Sequence, residues 1–205
     1  MRRWAAGLLV MALAAACSGP TDVTGSAGTP VTPAQTERPG TAVGAVPDAL
    51  RDSLPPCPAS GGAAAVDGGL PPMPLECLGP GGPVVLPGLA GKPLIINAWA
   101  SWCQPCRSEL PALASFSREA GEDVTVLGLD VLDEPAAAAA LWAELDIPFP
   151  SVVDPDGATR PGLSWVGLPV TYFIDADGAI VHRHPGAVTD VDQWRSLAAE
   201  HLGIP

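Results

Sequence analysis

Two cysteines separated by two residues, Cys103-Gln104-Pro105-Cys106, carry the most reactive chemistry in this sequence. The nucleophile in disulfide exchange is the thiolate, so the pair matters only if something stabilises negative charge on one sulfur. The surroundings supply it. The apolar run Leu94-Ile95-Ile96-Asn97-Ala98-Trp99 reads as a strand buried on both faces, and Pro105 suits the first turn of a helix. Cys103 then lies at a helix N-terminus, where unpaired N–H groups and the macrodipole favour a thiolate. Cys106 follows one turn later and faces inward. Cys103 is the expected attacking sulfur, and Cys106 the sulfur that resolves the mixed disulfide. A zinc site would use all four body cysteines, but only one C-x-x-C knuckle is present and Cys57 and Cys77 are widely spaced. No metal site is expected.

The other cysteines are Cys17, Cys57 and Cys77. Setting Cys17 aside leaves four, an even number that suits an oxidising compartment. Four cysteines allow three pairings, and adjacency favours Cys103 with Cys106 and Cys57 with Cys77. The second bridge would close a loop of about 20 residues and stabilise the fold by roughly 3 kcal/mol in the loop-entropy model.

The elements that position this chemistry follow from periodicity. After the C-x-x-C, Leu110, Leu113, Phe116 and Ala120 recur at helical spacing as far as Gly121. Val124 to Asp130 reads as a strand. Asp133-Glu134-Pro135 opens a helix that runs through five alanines to Leu145. Val170 to Ile174 and Ala179 to His182 flank Asp175-Ala176-Asp177-Gly178, a hairpin signal. Asp190 to His201 closes as an amphipathic helix, and Leu70 to Pro83 forms an opening turn or short hairpin carrying Cys77. The order β-α-β-α-β-β-α is that of a thioredoxin fold, an α/β architecture with a mixed central sheet flanked by helices. Trp99 reads as a core residue. His182 and His184 alternate on a strand and read as surface residues.

The first third of the chain differs in kind. Between Ser18 and Pro83, 25 of 66 residues are Pro or Gly and none is aromatic, so this stretch buries little to offset its conformational entropy. Met1-Arg2-Arg3 and the uncharged run Ala5 to Ala16 read as a signal peptide over residues 1–16. A 12-residue run rises only about 18 Å as a helix, short of the ~30 Å hydrocarbon core. Residues 17–69 are expected to be a tether and 70–205 the folded domain. The formal charge is −12. An acidic surface offers phosphate no clustered Lys and Arg, which excludes nucleic-acid binding as a first reading.

Trp99-Ala100-Ser101-Trp102-Cys103-Gln104-Pro105-Cys106-Arg107 resembles the active site of the thioredoxin superfamily. Asn97 through Leu110 is similar to its extracytoplasmic TlpA/ResA branch. Ile147-Pro148-Phe149-Pro150, Val152-Val153-Asp154 and Gly167-Leu168-Pro169-Val170-Thr171-Tyr172-Phe173-Ile174-Asp175 carry the likeness through residues 70–205. The resemblance implies a cis Pro169 packed against the C-x-x-C, with Leu168 presenting backbone groups to an incoming extended polypeptide. Trp102 would shield one side of the disulfide. The branch places a proton-accepting Glu three residues after the second cysteine, where Glu109 stands; the position used by many thioredoxins is Asn97, which does not titrate. Leu13-Ala14-Ala15-Ala16-Cys17 resembles a bacterial lipobox, implying lipid attachment at Cys17, although Ala14 stands where Leu is usual.

The activity implied is thiol–disulfide exchange on the outer face of the cytoplasmic membrane, with no cofactor beyond the Cys103–Cys106 disulfide. The implied partners are a membrane thiol donor of electrons and exported protein disulfides, apocytochrome c for example. A disulfide-forming oxidant is the close alternative. A peroxidase of this fold would need Pro and Thr or Ser where Ile96 and Ala100 stand. A copper metallochaperone would exploit the affinity of soft thiolates for Cu(I), but in this fold it generally uses C-x-x-x-C with a distant His.

Overall fold

The structure, a computed structural model, describes residues 45–204. Its frame is a seven-stranded sheet in the order β2-β1-β5-β4-β3-β6-β7. The strands are β1 (Pro74–Cys77), β2 (Val84–Val85), β3 (Leu94–Trp99), β4 (Thr125–Val131), β5 (Ser151–Asp154), β6 (Val170–Ile174) and β7 (Ile180–Pro185). β3, β4 and β5 run parallel, while β1, β2, β6 and β7 add antiparallel pairings. The helices are α1 (Asp48–Arg51), α2 (Gln104–Ala120), α3 (Pro135–Glu144), α4 (Arg160–Leu163) and α5 (Val191–Leu202).

This is a thioredoxin-like fold, as the element order predicts; beyond β4 lie β5, which that order lacks, and then β1 and β2 of the opening hairpin. Ser151–Asp154 is only four residues long and has β4 on one side and β1 on the other. All six residues of β3 are buried, the expected consequence of a central strand covered on both faces. The two faces differ in cover. Ile95, Trp99, Val126 and Phe173 pack with buried residues of α2, α3 and α5. Ile96, Leu127, Leu129 and Tyr172 pack instead with Leu75, Leu86, Leu163 and Trp165.

Aromatic contacts tie helices to the first face. Trp99 stacks on Trp142 with ring centroids 4.4 Å apart, and Phe149 meets Trp142 edge-on at 5.2 Å. Each indole N–H is satisfied: Trp99 Nε1 donates to Ser151 Oγ (3.1 Å) and Trp142 Nε1 to the Phe149 carbonyl (2.9 Å). The stack needs Gly128 beneath it. A Cβ there would stand 2.7 Å from Ser151 Oγ and 2.8 Å from the Trp142 ring. At the hairpin between β6 and β7, Asp175 Oδ1 accepts from the N–H groups of Asp177 and Ala179, and Gly178 takes φ 92°.

The Pro- and Gly-rich composition predicts a tether as far as residue 69; within residues 45–69 the chain is instead pinned to the body at several points, while residues 61–68 stay exposed. Val46 and Leu54 are buried among the α2 and α3 side chains. The Gly61 N–H donates to the Gly88 carbonyl (2.7 Å), Ser60 Oγ accepts from the Val85 N–H (2.7 Å), and Gly69 bridges Ala179. A disulfide joins Cys57 to Cys77 of β1, the expected pairing, with Cα atoms 6.0 Å apart. A few anchored side chains and one crosslink hold down a segment whose average composition reads as solvated. The expected signal peptide over residues 1–16, Cys17 and the tether up to residue 44 lie outside the described residues.

Replacing Cys57 and Cys77 together with Ala is expected to lower the unfolding free energy by about 3 kcal/mol, because the unfolded chain regains the closed-loop entropy. Urea denaturation of the oxidised protein measures this, and a loss below about 1 kcal/mol would mean the bridge adds little to the segment's own packing.

Candidate active site

β3 delivers the chain to the site and α2 begins there. Cys103 is the N-cap of α2, and its Sγ accepts from the Cys106 N–H at 3.3 Å. Cys103 and Cys106 form a disulfide with Cα atoms 5.3 Å apart. Cys103 is 4% exposed and Cys106 fully buried. The asymmetry leaves Cys103 the more accessible of the two to an incoming disulfide. The helix N-terminus and the N–H aimed at Cys103 Sγ favour a thiolate on that sulfur once the bond is reduced.

Glu109 lies one turn beyond Cys106 on the same helix face, fully buried. Asn97 Nδ2 donates to Glu109 Oε1 at 2.8 Å and to Thr171 Oγ1 at 3.0 Å. The Val188 N–H donates to Glu109 Oε2 at 3.1 Å. Burial pushes the Glu109 carboxyl up to about 7, while the bonds from Asn97 and Val188 pull the other way. Asn97, which cannot titrate, therefore serves to hold Glu109.

The Leu168–Pro169 peptide bond is cis, as the resemblance implies. Pro169 is buried, and its carbonyl accepts from the Gly186 N–H at 3.0 Å. Leu168 is half-buried and packs against the cluster that contains Cys103 and Cys106. Beyond it opens a mainly apolar groove of ≈ 410 Å³ along Trp165, Val166, Leu168, Pro169, Arg183 and Pro185. Val166 is 91% exposed on its rim, and Trp102 is 61% exposed beside the disulfide. Trp102 Nε1 donates to the Leu132 carbonyl at 3.0 Å, so the ring is held against the loop after β4.

Cys103, Cys106, Glu109, Leu168, Pro169 and Trp102 are thus brought to one end of the sheet. Cys57 and Cys77 are not: β5 and β4 separate β1 from β3. The periodicity of the sequence misses two features. Asp133 accepts hydrogen bonds from both the N–H and the Oγ–H of Ser101, two residues before Cys103. His201 of α5 stacks on His182 with ring centroids 3.7 Å apart, so His182 is covered rather than free on the surface. Among the described residues no group of three or more His, Cys, Asp and Glu is arranged to hold a metal ion.

The raised Glu109 carboxyl predicts a pH dependence of stability. The folded protein keeps this proton up to about pH 7, whereas the unfolded chain releases it near 4.5. Its contribution is complete below about pH 4.5 and is lost as pH rises through about 7, an effect of about 3 kcal/mol. Glu109→Gln should remove that slope. The wild-type-minus-variant difference in urea unfolding free energy, measured from pH 4.5 to 8, checks it; a flat difference would contradict the raised carboxyl.

Known proteins resemble this chain. The sequence profile described as Redoxin matches residues 59–197. The chain is 38% identical over 118 residues to the thiol:disulfide interchange protein DsbE of Pseudomonas fluorescens biotype C, covering 57% of this chain and 64% of that one. It is 33% identical over 123 residues to the thiol:disulfide interchange protein HelX of Rhodobacter capsulatus, covering 58% and 68%. The match thus spans less than two thirds of the DsbE protein's length and 68% of the HelX protein's. Among solved structures, the exposed lipoprotein thioredoxin Etrx1 of Streptococcus pneumoniae superposes with a TM-score of 0.55 at 28% identity, covering 62% of this chain and 98% of that one. With the profile spanning the domain from Ala59 into α5, the chain belongs to the Redoxin family.

Proposed function

We propose that the protein is a thiol–disulfide oxidoreductase that reduces disulfides of exported proteins, apocytochrome c among them, outside the cytoplasmic membrane. The observation that carries this reading is the Cys103–Cys106 disulfide at the N-terminus of α2, with Glu109 buried one turn below the inner sulfur. The interchange proteins it resembles support the same chemistry.

In the reduced protein the Cys103 thiolate attacks one sulfur of the substrate disulfide. A mixed disulfide forms, and the other substrate sulfur leaves as a thiolate. Cys106 gives its proton to ionised Glu109, and the resulting thiolate attacks Cys103 Sγ. That step closes the Cys103–Cys106 bond and releases the second substrate sulfur. Two electrons pass to the substrate, and a membrane thiol donor restores the dithiol. Leu168 and the groove beside Pro169 offer the incoming polypeptide a surface next to the disulfide, with Trp102 on the other side. Lipid attachment at Cys17 would hold the domain at the outer face of the membrane. Etrx1, named a lipoprotein, lends support to that placement.

The midpoint potential of the Cys103–Cys106 couple tests the direction of electron flow. A value near or below about −250 mV is expected of a reductant, in the thioredoxin range; a value near about −120 mV would instead mark a disulfide-forming oxidant. Glu109→Gln should flatten the pH dependence of reduced-thiol reactivity between pH 6 and 8, measured by alkylation. A variant that keeps the wild-type profile would remove Glu109 from the proton path.

A further inference from the structure

Among the described residues, one buried carboxyl has neither a part in the redox chemistry nor a hydrogen-bond partner. Asp130 is the ladder partner of Trp99, shares its helix-covered side of the sheet, and is 1% exposed. Neither of its carboxyl oxygens has a hydrogen-bond partner among the described residues. An ionised carboxylate there would be a buried charge with no donor, the arrangement that proteins avoid by pairing or by neutralisation.

Its neighbours are acidic. Asp133 lies within hydrogen-bonding reach, and Asp154 stands beyond it. Both already have donors. Asp133 accepts from the Ser101 N–H, from Ser101 Oγ–H at 2.9 Å and from the Glu134 N–H at 2.8 Å. Asp154 accepts from the Ala158 N–H at 2.7 Å, the Thr159 N–H at 2.8 Å and Thr159 Oγ1 at 2.6 Å. Asp130 alone of the three has no donor, so it is the carboxyl that burial leaves to hold a proton. Burial and the two carboxylates push Asp130 up to about 9. On the neighbouring α1, Arg51 lines a cavity together with Val153, the other ladder partner of Asp130.

The same short segment grips the strand that leads into the disulfide. Asp133 holds Ser101, and the Leu132 carbonyl holds the indole of Trp102. Leu132 sits at φ 53°, a left-handed conformation unusual for a branched side chain, and its N–H donates to the Asp154 carbonyl at 3.1 Å. We propose that Asp130 is a positioning residue: protonated, it donates to the Asp133 carboxylate, and this carboxyl–carboxylate pair locks residues 130–134 onto Ser101 and Trp102, fixing the loop that presents Cys103. Loss of the proton places two carboxylates against each other and loosens that grip. The proposal rests on the redox role of Cys103 only for its functional meaning; the clamp itself can be measured without any electron transfer.

The test uses the oxidised protein, in which the four bridged cysteines do not titrate. The indole N–H resonance of Trp102, identified by its loss in Trp102→Phe, is followed by NMR from pH 6 to 10.5. In wild type it should shift between about pH 8 and 10, above the transition of Glu109. In Asp130→Asn, which keeps a neutral donor toward Asp133, it should hold the wild-type pH 7 position throughout. A wild-type resonance that does not move in that range, or a variant that moves with it, overturns the proposal. The side-chain carboxyl ¹³C shift of Asp130 in the wild-type protein decides independently of any variant. A protonated shift at pH 7 supports the clamp, and an ionised one, with Arg51 as counter-ion, overturns it. A failed clamp leaves the midpoint potential and alkylation profile of Cys103 untouched, so it is distinguishable from a failed redox assignment.

Discussion

A fully buried carboxyl group, Glu109, is the point where the domain's separate parts meet. Its two oxygens take hydrogen bonds from Asn97 on β3 and from the Val188 N–H ahead of α5, and Asn97 extends the chain to Thr171 on β6. Four elements are therefore registered against one side chain that has no route to solvent. A polar group in that position is tolerated because it is bonded, and its bonds specify the depth at which α2 sits on the sheet. That depth in turn fixes where Cys106 and Cys103 emerge. The carboxyl proposed for the proton step is thus also the one whose bonds hold the site's geometry.

Around this polar knot the packing is aromatic and leaves little slack. Phe116 of α2 and Phe173 of β6 both meet Trp194 of α5, at 6.3 and 6.5 Å between ring centroids, while the Trp194 N–H donates to the Val188 carbonyl at 3.0 Å. The Val188 N–H that reaches Glu109 thus belongs to a residue whose carbonyl is itself anchored. On the other side of α2, Trp99 and Trp142 lock α3 to the sheet over Gly128. Around the disulfide, Trp102, Gln104, Pro105 and Val166 on the rim of the Leu168 groove stand in water.

Much of this could be read from residue order alone. The nearly continuous apolar run of β3, the proline in the first turn of α2 and the Asp-rich hairpin each state their conformation locally, because burial, fixed φ and side-chain turn bonds act within a few residues. Glu109 and Leu168-Pro169 were legible through family likeness, since nothing in their neighbours shows that one is buried and the other cis. What escaped was non-local. Ser151–Asp154 becomes a strand because β4 and β1 lie on either side of it. Val46, Leu50 and Leu54 recur at four-residue spacing, but over a stretch too short, and too rich in Pro and Gly around it, to announce that they fill gaps on the body. His201 lies 19 positions from His182, and their stacking exists only after α5 folds back over β6 and β7. Asp130 ends an apolar run, where an acidic residue ordinarily signals a strand leaving the core rather than a carboxyl within it.

Among the described residues the sheet ends in β2 on one side and β7 on the other. β2 is two residues long, preceded by Pro83 and followed by Leu86-Pro87. β7 carries His182, Arg183 and His184 and stops at Pro185. Short length, charge and proline are the devices that keep an unpaired strand from templating another chain. The hydrophobic β3 and β6 are sealed between neighbours, so neither outer margin invites β-ladder growth between molecules. In the proposed function this guards the protein against co-aggregating with the unfolded polypeptides it meets: where the groove at Leu168 borders β7, it does so at Arg183 and Pro185, and charge and proline there oppose ladder pairing.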